Sequence, residues 1–303
     1  MNRRNLLLTG AAAAVGALAG GARAQSDNTL RLIVPYAPGG SSDRAARIVA
    51  DKLTARLGGP VVVDNKTGAG GRLAMQQTKG LPASQNVLVL ANPATMVVAP
   101  LVFKDNGYDP DKDFQPVSQV SDYEFGVAVA TAVPVKEIKH LLAWLRANPN
   151  QANFGVPATG SLPHFFGLMT GEKAQIPAQV VGYRGSGPLL TDLIGGQVPV
   201  AFDTFDTLLP QHEAGKLRIL ASAAPEPGTG PLAGVKTWRE QGVPADYVSY
   251  NGVTLPPSVN AEQIRFWEDA LRQVAQDGMR VRASAGAGSF RRVHRRPMPR
   301  RRS

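Results

Sequence analysis

The sequence predicts an α/β fold with largely parallel sheets, and three observations carry that prediction. Short β-branched runs alternate with stretches of helical periodicity through the body of the chain. Four of the strand-to-helix junctions are rich in glycine and small hydroxyl residues. The composition, 43% apolar over 303 residues, suffices for sizeable cores in one large domain or two ordinary ones.

The first unit shows the logic. Leu30-Arg31-Leu32-Ile33-Val34 is a β-type run, and Pro38-Gly39-Gly40 breaks it. Ser41-Ser42-Asp43 then gives a helix a polar start, and Ala46, Ile48, Val49 and Leu53 recur at helical spacing. "VVVDNKTGAGGR" repeats the device through Gly68, Gly70 and Gly71. "NFGVPATGSLPHFFG" is the third case, with Gly160-Ser161 ahead of Pro163 in a first helical turn. "VVGYRGSGPLLTDLIGG" is the fourth. On this reading strands occupy 30–34, 61–65, 87–91, 114–120, 126–130, 153–156, 178–182, 200–203 and 217–221. Helices occupy 43–57, 72–79, 135–148, 163–173, 188–194, 205–214 and 261–276. Such junctions leave backbone N–H groups free, and ligands of α/β folds sit beyond the carboxyl ends of the strands. The four are therefore expected to converge on one cleft.

The net charge of +10 looks like that of a nucleic-acid binder until it is located. Twelve of the 33 basic residues lie in the terminal segments 1–24 and 280–303, which carry no acid. The stretch between them keeps 21 bases against 23 acids, so the body is not a polyanion binder and no nucleic-acid partner is expected. "MNRR", an apolar stretch and Ala22-Arg23-Ala24 form an export signal, with cleavage expected after Ala24 and a periplasmic location. "NRRNLLL" leaves both a Sec and a twin-arginine route open. From Arg280 the sequence has no apolar periodicity and is rich in Arg, Ala, Gly and Pro, the composition of a disordered tail.

"PGGSSD" has neither the Gly-Lys-Ser/Thr ending of a P-loop nor dinucleotide-fingerprint spacing. With no lysine or arginine in this first loop, its amides and helix dipole suit a carboxylate better than a triphosphate. Ser161, His164 and Asp203 are the residue types of a hydrolytic triad, but no G-x-S-x-G elbow is present. A secreted serine-dependent esterase using Ser161 stands as the alternative function. With no cysteine and four scattered histidines, no metal site or cofactor is expected. Asp203 ends an apolar strand, where it either caps the next helix or faces a ligand amine or hydroxyl. Tyr183 and Arg184 offer an aromatic wall and a cation, or simply a surface charge.

Together these stretches carry a resemblance. "RLIVPYAPGGSSDRAARIVADKL", "LGGPVVVDNKTGAGG", "NFGVPATGSLPH", "VVGYRGSGPLLTDLIGGQV", "AGKLRILA" and "YNGVTLPP" cover most of residues 30–260. In that order they resemble the periplasmic substrate-binding receptors of tripartite tricarboxylate transporters, the Bug-type receptors. The resemblance implies a two-lobed, type II periplasmic-binding-protein (Venus flytrap) fold without catalytic activity. Lobe 1 would comprise 25–124 and 224–279, lobe 2 would comprise 125–223, and two crossovers would form the hinge. It implies a monomer that binds a small carboxylate and delivers it to membrane permease subunits. The carboxylate would be held through backbone groups and waters by Tyr36, Ala37, Pro38, Gly39, Gly40, Ser41, Ser42 and Asp43, facing Thr159, Gly160, Ser161 and His164. Gly70, Gly71, Tyr183, Arg184 and Asp203 would be secondary contacts.

Three departures stand out. "KGLPASQNVLVLANPATM" lacks the family's usual Asp-Gly-Tyr-Thr, and a Pro-Thr turn is missing from "PEPGTGPLAGVKTW". The helices that follow residue 276 in the family are replaced by the arginine-rich segment. A frameshifted or divergent terminus that leaves the first lobe uncovered is the expectation.

Overall fold

Strands β1 (Leu30–Val34) and β3 (Val87–Ala91) are almost wholly apolar because they are covered on both faces. The computed structural model describes residues 29–224, 226–242 and 248–276. The expected signal at 1–24 and the segment 280–303 lie outside these. Leu30, Leu32, Val34, Leu88 and Leu90 face Ala46, Val49 and Leu53 of α1 (Ser41–Leu57) and Ala270, Leu271 and Val274 of α7 (Ala261–Gln276). On the opposite face Ile33, Val87, Val89 and Ala91 pack with Ala74 and Met75 of α2 (Arg72–Thr78) and with Met96, Tyr108 and Phe114. The two-residue period of a strand divides these side chains between two cores.

The expected strands at 114–120 and 126–130 are one strand, β4 (Gln115–Ala130). Ser121 to Glu124 reads as a polar break, yet buried Ser121 and Tyr123 alternate with the outward-facing Asp122 and Glu124, so the strand period runs through it. From Gln115 to Glu124 it pairs antiparallel with β9 (Val248–Leu255), with two irregularities in register. From Phe125 onward it pairs antiparallel with β7 (Val200–Thr204), and from Gly126 with β8 (Leu217–Ser222). The expectation of largely parallel sheets is therefore corrected. With β2 (Val61–Asn65), β5 (Asn153–Val156) and β6 (Gln179–Gly182), parallel pairing among the described residues is limited to β1–β2, β1–β3, β5–β6 and β5–β7 and one isolated bridge, Ser222 to Thr237. The order is β2-β1-β3-β9-β4-β7-β5-β6, with β8 also on β4. β9 was not among the expected strands, because Asn251 and Gly252 interrupt its β-type signal.

The second half adds α3 (Ile138–Ala147), α4 (Leu162–Ala174), α5 (Ser186–Ile194) and α6 (Phe205–Glu213). Phe154, Phe166 and Phe202 form its aromatic centre, and Trp238 completes it with its ring centroid 4.9 Å from that of Phe166. The segment expected to return to the first lobe at about 224 packs with the second instead. Leu232, Val235 and Trp238 join that core, and Trp238 N donates to Ser222 O at 2.8 Å.

α7, expected at 261–276, covers one face of the first half, and the replacement of helices expected after 276 lies outside the described residues. Leu271 of α7 is fully enclosed. Leu271→Ala is expected to cost about 2–5 kcal/mol through lost transfer energy and a cavity. Urea unfolding checks this as a lowered midpoint with unchanged slope.

Candidate functional site

The two halves meet over a cleft at the carboxyl ends of β1, β3, β5, β6 and β7. Its polar lining comes from Tyr36, Ser41, Ser42, Asn92, Ser161, Ser186, Asp203 and Thr204. Ala94, Phe125, Pro157, Ala158, Leu162 and Pro163 supply apolar wall, and Tyr123 adds a further ring. Among the described residues no lysine, arginine or histidine lines it.

Asp43 does not face this space. Its side chain is buried beneath the first loop. There Oδ2 accepts from Gly39 N–H and Arg47 Nε, both at 2.9 Å, and Oδ1 accepts from Arg47 Nη2 and Asn65 Nδ2, both at 3.0 Å. Asn65 Nδ2 also reaches the Tyr36 carbonyl at 2.9 Å. Burial opposes the charge of Asp43, but the bonds from Arg47, Gly39 and Asn65 outweigh it and hold the carboxyl below its usual range. Because Asp43 is committed to its own loop, the N-terminus of α1 has Gly40 as its cap residue and no side-chain cap. Its first amides are left for another acceptor. The N-terminus of α5, with Gly185 as cap residue, is likewise without a side-chain cap. Both open on the cleft through Gly40, Ser41, Ser42, Gly185 and Ser186.

Ser42 Oγ donates to Asn251 Oδ1 at 3.0 Å, and Asn251 Nδ2 donates to Ser121 Oγ at 3.1 Å, tying α1 to the crossing strands. Tyr36 hydrogen-bonds Asn92 through its hydroxyl; burial outweighs that bond and pushes the phenol up to about 12.

Ser161 caps α4. Its Oγ accepts from His164 N at 3.4 Å and donates to Ala158 O at 2.7 Å. His164 Nδ1 accepts from Gly160 N–H at 3.3 Å, and burial lowers the imidazole pKa below 6.5, leaving it neutral at pH 7. Asp203 bonds neither of them, so no Ser-His-Asp relay is assembled.

Asp203 is fully enclosed. Oδ1 accepts from Thr204 N–H at 2.7 Å and from Ser186 Oγ at 2.9 Å, whereas Oδ2 has no partner. Thr204, not Asp203, is the cap residue of α6. Of the other expected site residues, Tyr183 turns to α5, where its hydroxyl donates to Asp192 Oδ2 at 2.8 Å. The Arg184 side chain is exposed, but its carbonyl accepts from Ala37 N–H at 3.0 Å, a main-chain bond between the halves. Pro38 and Gly39 are exposed at the rim. Gly70 and Gly71 lie outside the lining, and a Cβ on Gly70 would meet the carbonyl of exposed Thr159 at 2.3 Å. Arg44 adds an ionic bridge, with Nη2 2.6 Å from Asp206 Oδ2 and 2.9 Å from Thr207 Oγ1. Asn92, Tyr123, Phe125, Ser186 and Thr204 were missed by the sequence reading. Ser186 had a usable signal, since it opens the helix of the fourth glycine junction.

Residues 45–284 match the family described as Tripartite tricarboxylate transporter family receptor. The chain belongs to this receptor family. A UPF0065 protein of Cupriavidus necator is 30% identical to this receptor over 90% of the chain and 85% of its own length. A UPF0065 protein of Bordetella bronchiseptica is 33% identical over 72% of the receptor, and the match spans 64% of that relative. BugT of Bordetella pertussis is 29% identical over 86% of the receptor and 80% of its own length. Among solved structures, one described as a periplasmic transporter is 34% identical with a TM-score of 0.79, over 84% of the receptor and 85% of that chain. MatC from Rhodopseudomonas palustris with bound malate is 25% identical with a TM-score of 0.75, over 82% and 84%. R. palustris Rpa4515 with adipate is 29% identical with a TM-score of 0.76, over 80% and 82%. The two-lobed fold and the receptor class, as opposed to an enzyme, follow from membership, and the esterase alternative is set aside.

Asp43→Asn is expected to destabilise the receptor at pH 7 by about 1–3 kcal/mol, the usual cost of leaving buried donors unpaired. Because the folded-state pKa is depressed, this stability is present in full above the unfolded value near 4 and is lost as pH falls through the folded one. The difference between wild type and variant should therefore begin to shrink only as pH falls below about 4 and vanish below the folded-state value.

Proposed function

We propose that the protein is a periplasmic solute receptor that closes on a small carboxylate and delivers it to the membrane subunits of a tripartite permease. The observation that carries the reading is the cleft itself. Two helix N-termini without side-chain caps and several hydroxyls converge there, with no lining cation. Each helix dipole contributes about half a positive charge, enough to favour a carboxylate without an ion pair. Water bridges to these groups cost little affinity and accommodate acids of different length. Malate and adipate in the two R. palustris relatives support the ligand class.

In this reading Tyr36 to Ser42 and Ser161 contact the carboxylate, while Asp43, Thr159, Gly160 and His164 shape the loops that do so. Gly70, Gly71, Tyr183 and Arg184 act at the closing seam. The lobes divide where β4 passes from β9 to β7, and the chain returns after Trp238. Residues 1–24 direct export, with cleavage after Ala24, and the receptor works as a monomer. No helix among the described residues is long and apolar enough to cross a membrane.

A thermal-shift and calorimetric panel of mono-, di- and tricarboxylates with uncharged analogues tests the proposal. Binding to the native state raises Tm by mass action, and carboxylates alone should do so. A clean melt with no carboxylate response would sink the reading. Gly70→Ala checks closure separately. The strained φ of +69° and the 2.3 Å clash with Thr159 O keep the halves apart, so affinity should drop more than tenfold while the melt stays cooperative.

A further inference from the structure

We propose that Asp203 meets the ligand carboxylate as the neutral acid, so that one proton from solvent is taken up and held between two carboxyl groups when the cleft fills. The proposal rests on the carboxylate-receptor reading above and specifies its chemistry at one atom.

The geometry is asymmetric. Both donors that reach Asp203 go to Oδ1, the Ser186 hydroxyl at 2.9 Å and the Thr204 amide at 2.7 Å. Oδ2 is enclosed and without a partner in a residue that lines the cleft. An ionised carboxylate with one oxygen buried and undonated is costly. A hydrogen on Oδ2 leaves Oδ1 as the acceptor for its two donors and makes Oδ2 the donor that an incoming carboxylate oxygen lacks. O–H···O⁻ bonds of this kind are short and strong.

Of the neighbouring charges, Asp206 acts in the same sense and Arg44 against it. On α6, Asp206 adds a negative charge beside Asp203. Arg44, from α1, is bonded to that Asp206 and sits outside the lining. Tyr36 from the first loop and Tyr123 from β4 line the cleft as phenols whose pKa burial raises, so both are neutral. α5 presents Ser186 and α4 presents Ser161, neither of them ionisable near pH 7. Burial raises the Asp203 carboxyl, the bonds from Thr204 and Ser186 draw it part of the way back, Asp206 raises it and Arg44 lowers it, and together they leave it at about 7. A bound anion raises it further.

The sign follows from linkage. Below pH 7 the free receptor already carries the proton and affinity is flat. Above pH 7 affinity falls up to tenfold per pH unit, until the raised pKa of the complex is reached. His164, lowered below 6.5, titrates outside this window.

The test is titration calorimetry of the purified protein with succinate, glutarate and adipate, which carry no hydroxyl or ammonium. At each pH the titration is run in two buffers that hold that pH and differ in ionisation enthalpy. The expected result is uptake of about one proton per ligand at pH 8.5 and well under half a proton at pH 6.5, where the free carboxyl with its value near 7 is mostly protonated and the ligands are still dianions. Asp203→Asn, which carries N–H in place of O–H, should then bind with neither uptake nor a pH slope above 7. Uptake that persists in the variant assigns the proton to another group and overturns the proposal. Buffer-independent heats in the wild type overturn it without any variant. If only hydroxy- or amino-carboxylates bind, and bind without uptake, Asp203 accepts a ligand hydrogen instead. If no carboxylate of any kind binds, the receptor reading itself fails.

Discussion

The arrangement of the cleft depends on a carboxylate that never enters it. Asp43 is saturated by Gly39, Arg47 and Asn65, all belonging to its own half. Folding the loop back on this anchor lets glycine occupy the helix cap, and that keeps the first amides of α1 available. Had Ser41 or Asp43 capped the helix, one of the two uncapped helix N-termini on the cleft would already be filled. Ser42, bonded to Asn251 and through it to Ser121, then locks the helix start against the crossing strands. A site for anions is thus built by neutralising one acid and giving the anion dipoles instead of cations.

The second constraint is the β4–β9 pair. β4 is hydrogen-bonded to one half of the protein along its first ten residues and to the other along the rest. Relative motion of the halves must bend this strand, whose register is irregular in both halves. The seam opposite it is made of contacts that separate easily: a backbone bond from Ala37 to Arg184, glycines against backbone, and the Arg44–Asp206 bridge. That division of labour, stiff at the crossing and separable at the mouth, is the mechanical requirement of hinge closure.

Much of this was legible in the sequence, for reasons that can be named. Helices and strands with a clean period, such as Ser41–Leu57 and Val87–Ala91, were recovered within a residue or two, because one face or two faces are buried along their whole length. The glycine junctions identified the right ends of the right strands. What failed was non-local. Ser121 to Glu124 looked like a break because its polar residues alternate across a strand whose partner lies well over a hundred residues away. Trp238 joined the second half through contacts with Phe166 and Ser222 that no local pattern announces. At the site, Asp203 was singled out by its position at the end of an apolar strand, but the split between its two oxygens is purely three-dimensional.

The path of the chain has a consequence for how the protein comes into being. The second half is drawn from one unbroken stretch, from Phe125 through Trp238, whereas the first needs strands near the N-terminus together with β9 and α7. A chain made N-terminus first therefore finishes its second half while its first is still a three-stranded fragment with Leu88 and Leu90 uncovered on one face. Only when Ala270, Leu271 and Val274 arrive does that face close. Long-range closure of this kind is slow relative to local collapse. The order of synthesis thus keeps the first half unfinished until Ala261–Gln276 has been made.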